Sequence, residues 1–233
     1  MYPDKYYGVL IMEKREININ RAEVIRFLGY REKRPGKDIM EIIDECEKAL
    51  QEVMMPAFTF RILGLRHTYD GITVMGTDLT LEGEDISRHL SGCDRCALMA
   101  ATISVGADRL IKSYEAQDMT KALIADAVAS AAVEALCDEA VTEISNRTRS
   151  FLTWRYSPGY GDLSLDIQPV LLDVLDAHRQ VGITLGENNI MIPRKSVTAI
   201  IGLSNRSLDL GRQSCEKSCK YCNLRYRCAY SEY

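Results

Sequence analysis

The most informative stretch of the chain is Trp154-Arg155-Tyr156-Ser157-Pro158-Gly159-Tyr160-Gly161-Asp162. Pro158 and Gly159 fit the two central positions of a type II turn, because proline presets φ and glycine accepts a positive φ. Ser157 precedes a proline and is therefore expected to be extended. The stretch predicts an extended arm that carries Arg155 into a tight turn, with an aromatic ring and a carboxylate just beyond it.

The parts of this arm and turn suit the recognition of a small molecule. The donor fork of the Arg155 guanidinium matches a ligand carboxylate. Free backbone groups of the turn and the ring of Tyr160 suit a purine and a ribose. A turn of this kind also occurs without a ligand, and an arginine at a strand end is commonly a surface or ion-paired residue. The residues alone leave both interpretations open.

Helical periodicity and extended stretches follow one another without a regular order. The helices predicted from apolar spacing and capping residues are Arg21–Leu28, Lys37–Met54, Glu84–Leu90, Ala107–Ala116, Met119–Asn146 and Asp166–His178. Asp118 is the predicted N-cap of Met119–Asn146, the longest of these helices. The predicted strands are Phe58–Leu63, Leu65–Tyr69, Ile72–Met75, Ala97–Val105, Phe151–Tyr156 and Ser196–Leu203. Because helices and strands mix without βαβ alternation, the pattern favours the α+β class over a doubly wound sheet.

The composition restricts the classes of function. The chain has 233 residues, of which 46% are apolar and 27% charged, as is typical of a globular protein. A formal net charge of −4 gives no reason to expect nucleic acid as a partner. No apolar run of about 18 residues could span a membrane. The N-terminal sequence lacks the pattern of a signal peptide, which predicts a cytoplasmic location and reduced cysteines.

Three segments in the second half of the chain share a recognisable pattern. They are Arg155-x-x-Pro158-Gly159-Tyr160, Gly182-Ile183-Thr184-Leu185 and Met191-x-Pro193-x-x-Ser196-Val197-Thr198. Together they resemble the activation domain of vitamin B12 (cobalamin)-dependent methionine synthase, strongly over residues 118–203 and loosely over 56–117. The resemblance implies one domain over residues 1–210, with an N-terminal helical part at 1–55 and a twisted, mainly antiparallel sheet flanked by helices. The cysteine-rich residues 211–233 are outside the resemblance and are predicted to be a separate tail.

In that family, the segment that matches this turn binds S-adenosylmethionine (AdoMet). By the resemblance, Arg155 would pair with the methionine carboxylate of the ligand, and Tyr160 would pack beside the ligand. The backbone around Ser157 and Gly159 would hold the adenine or the ribose. The resemblance therefore implies a binding segment made of Arg155, Ser157, Pro158, Gly159 and Tyr160.

Glu134 is a further candidate, within the alanine-rich part of the longest predicted helix. From the residues alone it is equally a solvated or ion-paired helix residue. It aligns with a glutamate that lines the AdoMet cleft in the family, and a carboxylate there suits a cationic sulfonium. The family also has an N-terminal aspartate that contacts AdoMet, and no residue of this chain can be assigned to that role.

The tail carries the pattern Cys215-x3-Cys219-x2-Cys222-x5-Cys228. Thiolates at this spacing suit tetrahedral Zn²⁺ or an iron–sulfur cluster, and a tail of reduced thiols is the alternative. Cys93-x2-Cys96 is interpreted as two buried thiols. No partner can be identified for His67 or His89, and Asp176-x-His178-x3-Gly182 has one residue too many for the cobalamin-ligand motif of larger enzymes.

The resemblance implies a component of methionine biosynthesis. Such a protein binds AdoMet and supports reductive methylation of cob(II)alamin on a separate cobalamin-dependent methionine synthase, a methyltransferase whose modules present the cobalamin. A one-electron donor such as flavodoxin or ferredoxin is a further implied partner, and no general acid or base is required. Two alternatives remain. One is reactivation of another corrinoid methyltransferase, and the other is a non-catalytic metal-binding or adaptor protein that works through its tail.

Overall fold

The computed structural model describes residues 7–11, 17–30 and 35–206. The strands in these ranges are β1 (Tyr7–Ile11), β2 (Ala57–Thr68), β3 (Gly71–Val74), β4 (Thr80–Leu81), β5 (Arg95–Thr102), β6 (Phe151–Leu152), β7 (Thr184–Leu185), β8 (Met191–Ile192) and β9 (Ser196–Ser204). The helices are α1 (Arg21–Phe27), α2 (Lys37–Val53), α3 (Glu84–His89), α4 (Val105–Glu115), α5 (Met119–Thr148), α6 (Gln168–Val174) and α7 (Ala177–Val181). None of these helices is long and apolar enough to cross a membrane.

The main sheet is antiparallel and has the strand order β4-β3-β2-β5-β9-β6. Strand β2 is long enough to pair with two strands along one edge, β1 over residues 57–61 and β3 over residues 65–68. Strands β7 and β8 form a separate two-stranded sheet. The predicted α+β class with a mainly antiparallel, helix-flanked sheet is therefore confirmed.

The two faces of this sheet pack against two different hydrophobic clusters. Side chains alternate across a strand, so that Met99 of β5 lies in the first cluster and Leu98 in the second. The first cluster fills the space between the sheet and helices α1, α2, α4 and α5. The second contains residues of β3, α3, α6 and α7. Strand β5 is consequently buried on both faces, which explains the unbroken apolar run from which it was predicted.

Helix α5 is the largest single element and spans 30 residues. Its predicted N-cap is confirmed, because the Asp118 carboxylate accepts hydrogen bonds from the backbone N–H groups of Thr120 and Lys121. Buried alanines, among them Ala129 and Ala132, let α5 approach the sheet and three other helices closely. Because α5 is held on several sides, the side chains on its remaining, less buried face have a well-defined position.

Several predicted boundaries differ from the structure. The single helix predicted over Asp166–His178 is wrong, because Asp176 has a left-handed φ of 48° and separates α6 from α7. Aspartate tolerates this conformation better than most residues, and the break leaves both Leu175 and Ala177 fully buried. The predicted strand Phe151–Tyr156 is reduced to the two residues of β6 and an isolated bridge at Tyr156. Strand β1, in the N-terminal part expected to be helical, was not predicted.

The two leucines Leu136 and Leu123 test which face of α5 supports the fold. Leu136 is fully buried, whereas Leu123 is 64% exposed. We expect Leu136→Ala to lower the free energy of unfolding by about 2–5 kcal/mol, because it removes buried surface and leaves a cavity. The same substitution at Leu123 should change it by less than about 0.5 kcal/mol. Urea unfolding followed by circular dichroism measures both values, and similar losses for the two variants would contradict this packing.

Candidate functional site

The arm that follows β6 runs into the turn as the sequence predicts. Tyr156 pairs with Ile200 of β9 through two backbone hydrogen bonds of 3.0 and 2.8 Å. The turn is closed by a 3.1 Å hydrogen bond from the Tyr160 N–H to the Ser157 carbonyl, and Gly159 has a φ of 87°. These are the two features that a type II turn with proline and glycine at its centre requires. The predicted turn is therefore confirmed.

Side chains on the arm alternate between two surroundings. The rings of Trp154 and Tyr156 lie 4.6 and 5.0 Å from the imidazole of His89, within the second cluster. Between them, Arg155 lies against α5 on the other side. Tyr156 also donates a 3.2 Å hydrogen bond from its hydroxyl to the carbonyl of Tyr160, which ties the arm to the far end of the turn.

Arg155 holds this arm on α5 through two ion pairs. Its Nη2 donates to Glu134 at 2.7 Å, and its Nη1 donates to Asp138 at 2.5 Å. The two carboxylates lie four residues apart on one face of the helix, which matches the spread of a guanidinium fork. The Arg155 side chain is only 22% exposed. Arg155 is thus an ion-paired residue, and its direct contact with a ligand carboxylate stays a prediction.

A cleft of about 360 Å³ opens beside the turn. It lies between the turn, α5, the start of α6, and the segment that runs from Asn189 into β9. Within the described residues it is lined by Glu134, Ser157, Pro158, Tyr160, Leu165, Gln168, Asn189, Ile190, Met191, Arg194, Ser196, Val197 and Thr198. Four of the six predicted binding residues are in this lining, and Arg155 and Gly159 are not.

The lining also contains polar residues to which the sequence pattern assigned no role. Gln168 and Thr198 are buried at the cleft and share a 2.9 Å hydrogen bond from the glutamine amide to the threonine hydroxyl. Arg194 is exposed at the same cleft. Thr198 belongs to a segment that matches the family pattern. The sequence did not identify Gln168 or Arg194 as residues of the site, because both come close to the turn only in the folded structure.

The comparison with protein families gives a match at this site. The family model described as vitamin B12 dependent methionine synthase, activation domain, matches residues 84–217, more than half of the chain. The chain belongs to this family. The matched residues include Glu134, the turn and Arg194.

The comparison with solved structures supports the same fold. A crystal structure of the MetH reactivation domain bound to AdoHcy (S-adenosylhomocysteine) aligns with a TM-score of 0.69 at 13% identity. The alignment covers 87% of this chain and 80% of that chain. At such low identity the likeness shows the shared fold alone. Comparison with curated proteins gives no match.

In this activation domain, the carboxylate just beyond the turn has a structural role. Asp162 accepts hydrogen bonds from the backbone N–H groups of Glu84 and Asp85 at 2.6 and 3.2 Å, at the start of α3. Glycine at position 83 allows this approach, because a Cβ there would clash with the Asp162 carboxylate. Its φ of 135° is also a conformation that other residues rarely adopt. Asp162 therefore joins the turn to α3, and α3 in turn carries His89 beneath the arm.

The structure supplies the histidine partners that the sequence did not indicate. His67 Nε2 lies 2.9 Å from the Cys93 carbonyl, and His89 Nε2 lies 2.8 Å from the Thr153 hydroxyl. Burial lowers the pKa of His89 to about 4. His89 is therefore neutral at physiological pH, and its other ring nitrogen, Nδ1, has no hydrogen-bond partner within the described part of the chain.

The cysteines separate into two groups. Cys93 and Cys96 are buried free thiols, as predicted, and burial raises their pKa values to about 11 and 12. The proposed metal ligands Cys215, Cys219, Cys222 and Cys228 lie outside the described residues. Among the residues that are described, no group of three or more His, Cys, Asp or Glu side chains could hold a metal ion. A metal in the tail stays a prediction.

Gly83 and Gly76 test the contact between Asp162 and α3. Both have a positive φ, but a Cβ at Gly76 would meet nothing within 4 Å. Gly76→Ala should therefore cost only the backbone strain, about 1–2 kcal/mol of unfolding free energy. Gly83→Ala should cost more for two reasons, because it adds a clash with Asp162 and because the φ of 135° at Gly83 is less accessible to alanine than the φ of 80° at Gly76. Thermal and urea unfolding compare the two variants, and equal losses would show that α3 does not depend on this approach.

His89 predicts a pH dependence of stability. Its pKa is lower in the folded state than the usual 6.5, so the unfolded chain binds the additional proton between pH 6.5 and about 4. The contribution of His89 is complete above pH 6.5 and is lost as the pH falls, by about 3 kcal/mol at pH 4. Replacement by Gln should flatten the plot of unfolding free energy against pH over this interval. Identical slopes for the wild type and His89→Gln would contradict the assignment.

Proposed function

We propose that this protein binds AdoMet in the cleft beside the Pro158-Gly159 turn. We further propose that it supports reductive methylation of cob(II)alamin on a separate cobalamin-dependent methionine synthase. The observation that supports the proposal is the cleft itself, which is lined by Ser157, Pro158 and Tyr160 of the turn segment and has Glu134 in its wall. The AdoHcy named for the structurally similar MetH domain supports the same ligand class.

The size and lining of the cleft fit this ligand. A volume of about 360 Å³ falls within the range of roughly 300–1,000 Å³ that small-molecule sites occupy. Glu134 supplies a negative charge for a cationic sulfonium, and its side chain is 42% exposed. Tyr160, 48% exposed, and Pro158 offer flat surfaces beside the turn for a purine. The buried Gln168–Thr198 pair offers side-chain amide and hydroxyl groups for hydrogen bonding.

The backbone N–H groups of Gly159 and Tyr160 are committed to the turn itself. The Gly159 N–H donates to the Leu163 carbonyl at 2.9 Å, and the Tyr160 N–H donates to Ser157 within the turn. Gly159 is therefore needed for the conformation of the turn, and the side of the turn formed by Ser157 and Pro158 faces the cleft. We assign ligand contacts to this side and a shaping role to Gly159.

The task of the chain in this chemistry is positioning. The partner's cobalamin supplies the reactivity: one electron reduces cob(II)alamin to cob(I)alamin, whose electron pair takes the methyl group as the sulfonium S–CH₃ bond breaks, giving methylcobalamin and AdoHcy. No proton is transferred, so no acid or base is needed from the protein. The protein holds the sulfonium in a fixed orientation, which lowers the entropic cost of the transfer.

A direct experiment combines the protein with a cobalamin-loaded methionine synthase that lacks an activation domain of its own, in the cob(II)alamin state. AdoMet and reduced flavodoxin or ferredoxin are added, and the cobalamin absorption spectrum is followed. Methylcobalamin should form only when this protein and AdoMet are both present. Formation with another corrinoid methyltransferase, but not with methionine synthase, would redirect the proposal to that partner. Activity lost by removing residues after Leu210, but kept by Arg155→Ala, would favour the tail-based adaptor.

Glu134 and Asp138 form a matched pair for the binding step. Both pair with Arg155, but only Glu134 lines the cleft. We expect Glu134→Gln to weaken AdoMet binding about tenfold, and AdoHcy binding less, because AdoHcy has no positive sulfonium. Asp138→Asn should leave both affinities nearly unchanged. Isothermal titration calorimetry measures the four values. An equal loss of AdoMet and AdoHcy affinity in Glu134→Gln would contradict the sulfonium contact.

A further inference from the structure

Helix α5 has four polar residues at a spacing of four, which places them along one side of the helix. They are Asp126, Ser130, Glu134 and Asp138. Glu134 and Asp138 hold the arm through Arg155. The other two bind a second cation, because the Nζ of Lys195 lies 2.9 Å from Asp126 and donates a 2.9 Å hydrogen bond to the Ser130 hydroxyl. One side of α5 therefore binds two cations from two different segments of the chain.

Lys195 lies in the segment between β8 and β9, which forms one wall of the cleft. Its neighbours Arg194 and Ser196 line the cleft, and Lys195 itself does not. Glu134, which lines the cleft from α5, comes four residues after Ser130 and about 6 Å further along the helix axis. The side chain of Lys195 therefore connects one wall of the cleft to the helix that carries another.

The backbone of this segment is attached to other elements. The Lys195 carbonyl accepts hydrogen bonds from the Ile103 N–H at 3.2 Å and from the Thr102 hydroxyl at 3.3 Å, at the end of β5. The Arg194 N–H donates to Asp108 of α4 at 2.8 Å. These bonds fix the segment to β5 and α4, and the Lys195 side chain adds the attachment to α5.

The contact of Lys195 with α5 is well shielded from water. The side chain of Lys195 is 13% exposed, against 27% for Lys121 in the ion pair that joins α5 to α2. Exposed ion pairs contribute little, because water competes for both partners, whereas a buried ammonium group is costly without its carboxylate. The Ser130 hydroxyl donates its own proton to the Asp126 carbonyl at 2.9 Å, which leaves its lone pairs for the ammonium. Lys195 is therefore held in one position by two acceptors.

We propose that Lys195 is a positioning residue for the cleft. Through Asp126 and Ser130, it holds the segment before β9 at the separation from Glu134 that the ligand requires, without touching the ligand. This inference rests on the proposed binding of AdoMet and names a residue at an unspecified position of the family pattern. Walls that are fixed before binding lower the entropy lost when the ligand is bound and oriented for transfer.

The test compares Lys195→Met with a matched control, Lys121→Met. Lys121 also joins α5 to another element, with its Nζ 2.8 Å from Glu45 of α2, but α2 contributes no residue to the described lining of the cleft. Calorimetry measures AdoMet affinity, and absorbance measures the rate of methylcobalamin formation at saturating AdoMet. Lys195→Met should weaken AdoMet on the order of tenfold and slow the transfer, and Lys195→Arg should recover part of both losses. Lys121→Met should leave both values unchanged.

The affinity for AdoHcy and the variant Asp126→Asn test how Lys195 acts. Because Lys195 acts on the shape of the cleft, Lys195→Met should weaken AdoHcy, which has no positive sulfonium, by the same factor as AdoMet. Asp126→Asn should reproduce most of this loss, and the double variant should be little worse than Lys195→Met, because both residues act through one contact. A loss confined to one ligand, or losses that add in the double variant, would overturn the inference.

Two further outcomes overturn the inference while the proposed function stands. They are an unchanged affinity and transfer rate in Lys195→Met, and an equal loss in Lys121→Met, which would indicate general destabilisation. A wild type that binds neither AdoMet nor AdoHcy, alone or with the cobalamin-loaded partner, overturns the proposed function itself. Circular dichroism and thermal unfolding confirm that each variant is folded at the temperature of the titration.

Discussion

The ion pairs of Arg155 with Glu134 and Asp138 connect the two parts of the molecule on which the site depends. One part is α5, packed by its alanines against the sheet, and the other is the arm that leads into the turn. A partly buried guanidinium left without its carboxylates would be costly, so the arm has little freedom to leave the helix. The cleft is the space that remains between these two parts and the segment before β9.

The arm is held from its other face by different forces. Trp154 and Tyr156 pack around His89 on the side of the arm that faces away from the ion pairs. Ring contacts and burial therefore hold one side of the arm, and the ion pairs of Arg155 hold the other. Asp162 then attaches the end of the turn to α3, which carries His89. Two nearby carboxylates thus have different uses. Asp162 is committed to backbone N–H groups, whereas Glu134 has one oxygen paired with Arg155 and still reaches the cleft.

The features that could be predicted from the sequence are those determined by neighbouring residues. The cap of α5 at Asp118 and the turn at Pro158-Gly159 depend on local backbone preferences, and both are confirmed. The break at Asp176 could not be predicted, because it is favoured by burying Leu175 and Ala177 against distant residues. The partners of Arg155, Asp162 and His89 were missed for the same reason. Each is separated from its partner by 17 or more residues in sequence.

The two cations that face α5 owe their roles to their surroundings rather than to their residue type. Arg155 is bound to Glu134 and Asp138, and an arginine in that position gains little from a third carboxylate. Lys195, just before β9, is likewise neutralised by Asp126. One cation attaches the arm to α5, and the other attaches the segment before β9 to the same helix. The walls of the cleft are therefore held to a single helix from two sides.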